Sequence, residues 1–318
     1  MKKQVLIFIG LTAFLFGCKS EQDVSVAPKG YFSNTTLKIA YAAGTLELVE
    51  TDYPVPETIK EYKDVTYKTI DSTSLKLDVY HSKSLKAKAP LLIFVHGGAW
   101  KKGDKHDYLV YLTSYAEKGY VTATIQYRFA GVAKYPAQLL DVQSAVVWLK
   151  QHAHEFHINP EKVAIVGGSA GGHLAMMNAY SNSNNTKSEG VEFTPNVQAL
   201  VNFYGPSDLV DVAEEDKPTV EYLIGKTELE APELYKAASP IYFVTKTAPP
   251  TITFHGTLDE LVPYKQSDRL HEKLQEVGVP SYYHKLEGWP HTMDASVKVN
   301  AYAQHHMDKF FEKYIPIN

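Results

Sequence analysis

The chain has a single cysteine, Cys18, so no intrachain disulfide can form. It also lacks an apolar run long enough to cross a bilayer. The stretch from Val5 to Phe16 covers twelve residues, where a membrane helix takes about 18 or more. Lys and Arg are scattered and the formal net charge is −4. A basic nucleic-acid footprint is therefore missing, and no nucleic-acid partner is expected. There is no internal repeat and no low-complexity tract. Disorder is excluded by composition, with 44% hydrophobic and 21% charged residues. The 318 residues suffice for one large domain or two small ones.

The ends of the short apolar run give it meaning. Lys2 and Lys3 precede it, as in a signal peptide. Leu15-Phe16-Gly17-Cys18 follows and resembles a bacterial lipobox, although Phe16 is bulkier than usual there. The resemblance implies a signal peptide over 1–17, lipidation of Cys18 and a membrane contact through that lipid alone. Lys19 to Asp23 is polar and acidic, similar to surface-export signals of Bacteroidota-type lipoproteins. The expected location is exported: periplasmic, outer-membrane or cell-surface. Residues 18–60 read as a tether and irregular segment, because Pro28, Gly30, Pro54 and Pro56 interrupt any regular element.

Regular patterning begins near residue 61. Val65 to Lys68 and Leu75 to Tyr80 alternate like an edge strand pair. Continuous apolar runs follow at Leu91 to Val95, Val121 to Gln126, Val163 to Val166, Val197 to Phe203 and Thr251 to Phe254. Such runs mark parallel strands buried on both faces. Helical stretches lie between them: Pro136 to His154, Ala170 to Tyr180, Tyr264 to Val277 and Ala295 to Tyr314. This alternation predicts βαβ units in a mostly parallel sheet, an α/β fold. Residues 206–247 are too long for a simple crossover. They read as a small helical insertion over the carboxyl edge of the sheet, where open α/β sheets place their sites.

Two loops at that edge carry chemistry. Val163 to Val166 runs into Gly167-Gly168-Ser169-Ala170-Gly171-Gly172 and then a helix. A serine hydroxyl reacts only when exposed, deprotonated and set beside an anion site. A sharp strand-to-helix turn exposes it, and the helix N-terminus favours negative charge. A phosphate loop fits less well, because no Lys-Ser or Lys-Thr pair follows. The second loop, His96-Gly97-Gly98-Ala99-Trp100, leaves strand Leu91 to Val95. Its small residues let the backbone approach an acyl group closely.

A base and an acid are also available. His291 sits in Gly288-Trp289-Pro290-His291-Thr292, between strand Tyr282 to Leu286 and the last helix. Asp259 follows strand Thr251 to Phe254. Glu260 and Asp208 are alternatives for the acid, while His255 and His284 lie within or at the end of strands and read as packing or hydrogen-bonded residues.

Together these pieces resemble the α/β-hydrolase superfamily. Within it, the chain is similar to hormone-sensitive-lipase-like esterases and to bacterial carbohydrate and feruloyl esterases. The matching residues are His96 to Trp100, Gln126-Tyr127-Arg128, Tyr135 to Gln138 with Asp141, Gly167 to His173, His255 to Pro263 and Gly288 to His291. Ala99 departs from the third glycine of the HGGG loop, and Gly168 from an aspartate common before the serine. The resemblance implies an α/β-hydrolase fold over 61–318 and a triad in the order serine, acid, histidine. It assigns these roles to Ser169, Asp259 and His291, and oxyanion donation to the amides of Gly98, Ala99 and Ala170. His96 becomes a brace for its loop. The implied reaction is hydrolysis of short-chain or carbohydrate-linked esters, of acetyl or feruloyl type. The partner is a small-molecule or polysaccharide-linked ester. Neither cofactor nor metal is expected. An amidase, formamidase or peptidase of the same fold is the alternative, and a dead hydrolase used as a binding module is a third reading.

Trp100 and Trp289 flank the two loops and are expected to bind substrate, with core packing as the competing role. His152, His154 and His157 lack the spacing of a metal-ligand pair. His305-His306 reads as solvated surface.

Overall fold

The computed structural model describes residues 23–50, 52, 54–181 and 194–317. Cys18 and the 1–17 signal segment lie outside the described residues. Eight strands form one sheet in the order β1-β2-β4-β3-β5-β6-β7-β8. The hairpin of β1 (Ile59–Ile70) and β2 (Thr73–Ser82) sits at one edge. It turns at Asp71 and Ser72, with Asp71 at φ 53. β2 also pairs antiparallel with β4 (Val121–Ile125). The remaining pairings, among β3 (Ala89–Val95), β4, β5 (Ile158–Gly168), β6 (Ala199–Phe203), β7 (Thr251–Gly256) and β8 (Ser281–Leu286), are parallel.

The unbroken apolar runs follow from two covered faces. Successive strand residues point to opposite sides. Leu91, Ile93 and Val95 join a core with α3 (Ala137–Gln151), α4 (Ala170–Ser181) and α7 (Lys265–Glu276). Leu92 and Phe94 join a second core with α2 (Leu109–Glu117) and α8 (Val297–Tyr314). β3, β4, β6 and β7, buried along their whole length, therefore have no polar face to show in their sequence. The insertion after β6 carries α5 (Lys217–Ile224), α6 (Pro232–Ala237) and a 3₁₀ turn at Pro240–Phe243. His173, buried in α4, donates from Nε2 to the Ala238 carbonyl at 2.7 Å and ties the insertion down.

The N-terminal segment differs from the expected tether. α1 (Asn34–Ala42) is a capped helix, with Ser33 Oγ accepting from Thr36 N and Thr36 Oγ1 accepting from Ser33 N. Upstream, Tyr31 N donates to Gly288 O at 2.7 Å. Downstream, Val49 N donates to Ala295 O at 2.7 Å. Residues on both sides of α1 thus pack on the loop that carries His291. Backbone pairing, and the bond from the buried Trp289 indole to the Pro28 carbonyl, outweigh the irregular composition that suggested a linker.

Candidate active site

β5 delivers Ser169 at the strand-to-helix elbow, in the left-handed region at φ 54. Such a backbone is strained for a residue with a side chain and persists only where surroundings over-determine it. Gly171 makes the elbow possible. A Cβ there would stand 2.0 Å from the Val95 carbonyl oxygen, so α4 starts hard against the end of β3. Gly168 also has a local reason. A Cβ at that position would meet the Tyr108 hydroxyl at 2.3 Å. Tyr108 fills the space that an aspartate before the serine would need.

The Ser169 hydroxyl donates to His291 Nε2 at 2.9 Å. The opposite ring nitrogen, Nδ1, donates to Asp259 Oδ2 at 2.6 Å. A carboxylate accepts only, so the proton belongs on Nδ1 and leaves Nε2 free to accept. Asp259 Oδ1 accepts from the amides of Leu261 and Val262, at 3.0 and 2.8 Å. Burial pushes this carboxyl up, but the hydrogen bonds from His255 and His291 outweigh it and leave its pKa at about 2. Asp259 is therefore ionised at neutral pH. The sequence-predicted serine, acid and histidine are brought into one hydrogen-bonded chain.

His255, expected to be a packing or hydrogen-bonded residue, is hydrogen-bonded, and its partner is the acid itself. Its Nε2 lies 3.1 Å from Asp259 Oδ2 and 2.8 Å from the Val262 carbonyl. Donation from Nε2 leaves Nδ1 to accept from the Ser267 hydroxyl at 2.7 Å. Its place four residues before Asp259, at the end of β7, was the available clue. The other acid candidates lie elsewhere. Asp208 pairs with Arg269 at 3.4 Å, and Glu260 is exposed. His284 stacks on Phe254 and shares a hydrogen bond with Tyr302, and burial pushes it down to about 4.

The His96 loop runs through three successive left-handed residues, Gly98, Ala99 and Trp100, at φ 103, 54 and 57. It is braced from beneath. The His96 ring stacks on Tyr127 with centroids 4.5 Å apart, and Tyr127 donates its hydroxyl proton to the His96 carbonyl at 3.1 Å. Burial lowers the His96 pKa, and because a carbonyl only accepts, Nδ1 donates to Gly97 O at 2.9 Å. A Cβ on Gly97 would stand 3.4 Å from Ser169 Cβ, which puts this loop beside the nucleophile candidate. Gly98, Ala99 and Ala170 all border the cavities that Ser169 opens into.

Two cavities among the described residues have Ser169 in their lining. One, of about 140 Å³, lies under the insertion and is lined by Trp100, Leu209, Val212, Val220, Val262 and Pro263. Asp216 borders it, its carboxyl raised by burial and then by Glu215 and Asp259. The other, of about 770 Å³, is bordered by Tyr108, Tyr111, Tyr204, Asp294 and Asn300. Ser169 and His291 line both.

The two tryptophans separate. Trp100 borders the smaller cavity and packs edge-on against His173 at 5.1 Å. Trp289 borders neither, contrary to the expected substrate contact. It is fully buried, its indole N–H donates to the Pro28 carbonyl at 2.8 Å, and Tyr31 packs edge-on at 5.6 Å. The N-terminal segment occupies the face that substrate was expected to reach. His306 also departs from the expected solvated surface, lying 4.3 Å from His284 and 4.4 Å from Tyr302 between ring centroids. His152 stacks on Trp148 at 3.7 Å.

A mostly parallel sheet covered on both faces, with a serine at the elbow after its fifth strand, defines an α/β-hydrolase. Residues 77–274 match the BD-FAE family, and the chain belongs to that family. It is 32% identical to the esterase LipC of Mycobacterium tuberculosis over 290 residues, which is 86% of this chain and 70% of that one. The esterase LipQ of the same organism is 31% identical over 82% of this chain, which spans 64% of LipQ. Among solved structures, a truncated carbohydrate esterase from gut microbiota is 26% identical with a TM-score of 0.69, covering 82% of this chain and 99% of that one. A butyrate-bound esterase from Thermogutta terrifontis is 26% identical with a TM-score of 0.68, covering 82% and 96%. The protein is a carboxylic ester hydrolase of this fold.

Proposed function

We propose that Ser169, His291 and Asp259 form the catalytic triad of a serine esterase that cleaves short-chain acyl esters, including carbohydrate-linked ones. The observation that carries this reading is the continuous chain of hydrogen bonds from Ser169 Oγ through His291 to Asp259. In the first step Oγ attacks the acyl carbon, and its proton passes to His291 Nε2. Asp259 stabilises the imidazolium that results. The amides of Gly98, Ala99 and Ala170 take the negative charge on the former carbonyl oxygen. Collapse breaks the ester C–O bond and gives the acyl-enzyme, while the leaving alcohol takes the proton from Nε2. Water then repeats the sequence and frees the acid.

The cavity of about 140 Å³ supports an acetyl to butyryl acyl group, in keeping with the butyrate held by the Thermogutta relative. The carbohydrate esterase relative supports a sugar-linked alcohol. Ser169→Ala should abolish covalent labelling by a fluorophosphonate and lower kcat on the order of 10⁶-fold. A variant that keeps a tenth of the activity would end the reading.

We also propose that the protein is an exported lipoprotein held to a membrane through Cys18, on the strength of the lipobox-like Leu15 to Cys18. Metabolic lipid labelling of wild type and Cys18→Ala tests it, with label expected only on wild type.

A further inference from the structure

We propose that His255 is a positioning residue for the esterase: it fixes the Asp259 oxygen that holds His291 and moderates the pull of that oxygen on the imidazole. This rests on the esterase reading and adds a group that tunes its base. His255 is fully buried at the end of β7. The Val262 carbonyl lies 2.8 Å from its Nε2 and can only accept, so a proton sits on Nε2. That one bond already satisfies a buried imidazole N–H. The same N–H also reaches Asp259 Oδ2 at 3.1 Å, the oxygen that His291 Nδ1 bonds at 2.6 Å. Two imidazoles therefore share one carboxylate oxygen.

The surroundings hold this arrangement in a closed ring. Asp259 Oδ1 accepts from the Val262 amide at 2.8 Å, while the carbonyl of the same residue accepts from His255. The Ser267 hydroxyl of α7, 2.7 Å from His255 Nδ1, sets the orientation of the imidazole from behind. Rotation of the Asp259 carboxyl would break bonds at both oxygens, so Oδ2 stays aimed at His291. The electrostatic consequence has a definite sign. A donor on Oδ2 takes up part of its negative charge, and less remains to hold an imidazolium. Against the upward push of burial, His255 and then His291 pull the Asp259 carboxyl down. Without the His255 donor, Oδ2 would bind His291 more tightly. That favours the protonated ring, which cannot take the serine proton. Other groups facing His291 are Ser169, the Tyr204 ring, Asp294 on the turn before α8 and Asp216 at the start of α5. All of them remain in a variant at position 255.

His255→Gln and His255→Met separate the donor from the space it fills. The two side chains are similar in length and shape, but only glutamine keeps an N–H at the far end. Both lose the acceptor for Ser267, so that loss cancels between them. The measurement is kcat/KM on a soluble acetyl ester against pH, whose acid limb reports the base of the free enzyme. His255→Met should move that limb up by about half a pH unit or more. It should also lower kcat about tenfold, as a misaimed base does. His255→Gln should hold the limb within about 0.2 of a pH unit of wild type and kcat within about threefold. A purely structural clamp would instead loosen Val262, which borders the acyl cavity, and raise KM with the limb unmoved. That result would overturn the proposal, as would equal limbs for the two variants. Should His255→Met fail to fold, His255→Leu takes its place. If neither folds, the bond serves stability and the positioning role falls. A wild type that hydrolyses no ester and takes no fluorophosphonate label would instead remove the esterase reading itself.

Discussion

Asp259 holds four hydrogen bonds at once: two backbone amides on one oxygen, and the imidazoles of His291 and His255 on the other. That arrangement decides its role. Replacing it with asparagine changes one oxygen into a donor. The amide can then present N–H to His291 and hold the tautomer that cannot accept the serine proton. In a comparable triad that change costs about 10⁴ in kcat. Asp259→Asn should show a loss of that order, while Asp208→Asn and Glu260→Gln should change kcat by less than about tenfold. A crippled Asp208→Asn with an active Asp259→Asn would move the acid to the loop after β6. The depressed pKa also sets a pH window. The charge of Asp259 survives down to about pH 2, so its titration is not the acid limb of kcat/KM measured above that. Its contribution to stability is fully present above the ordinary carboxylate range near 4. It is lost as the pH falls from there through about 2.

Elements were legible where one physical cause acted alone. β3 to β7 show as apolar runs because both faces of the sheet are covered. α2 escaped reading. Its sequence, Leu-Val-Tyr-Leu-Thr-Ser-Tyr-Ala-Glu, has β-branched and aromatic residues and no side-chain cap, and six of its nine residues are buried. Its helicity comes from packing rather than propensity. The same division holds at the site. Ser169, His291 and the His96 loop sit in local motifs. His255 joins the site only through a juxtaposition that the sheet creates. The elbow itself depends on contact between two elements, and Gly171 is where it can be tested. Its Cα faces the Val95 and His96 carbonyl oxygens, and a methyl would stand 2.0 and 2.6 Å from them. These are backbone atoms and cannot swing aside. Gly171→Ala should cost about 3 kcal/mol, lowering Tm by on the order of 10 °C for a domain of this size. A Tm within about 2 °C of wild type would mean that β3 and α4 are not so closely joined.

At the scale of the whole molecule, the question is where the catalytic body begins. Composition put residues 18–60 outside it. Hydrogen bonds put at least part of that stretch inside, because Pro28, Tyr31 and Val49 all pair with the segment from Gly288 to Ala295 that contains His291. The consequence separates two truncations. A chain starting at Asp23 keeps every one of these contacts and should match the full protein in Tm and in kcat/KM on a soluble ester. A chain starting at Leu37 loses the partner of the Trp289 indole, the edge-on ring of Tyr31 and the bond from Tyr31 N to Gly288 O. Each lost hydrogen bond contributes about 1 kcal/mol, and the ring pair a similar amount. The summed loss of about 3 kcal/mol corresponds to a Tm lower by on the order of 10 °C. The His291 loop is the part exposed by the cut, so kcat should fall along with Tm. Equal melting temperatures for the two truncations would restore the tether. Among the described residues no helix is long and apolar enough to cross a membrane. Membrane attachment through Cys18 should be absent from the chain starting at Asp23, which lacks that cysteine, without any loss of activity. That result would place the anchor and the catalyst in adjacent but separable parts of one molecule.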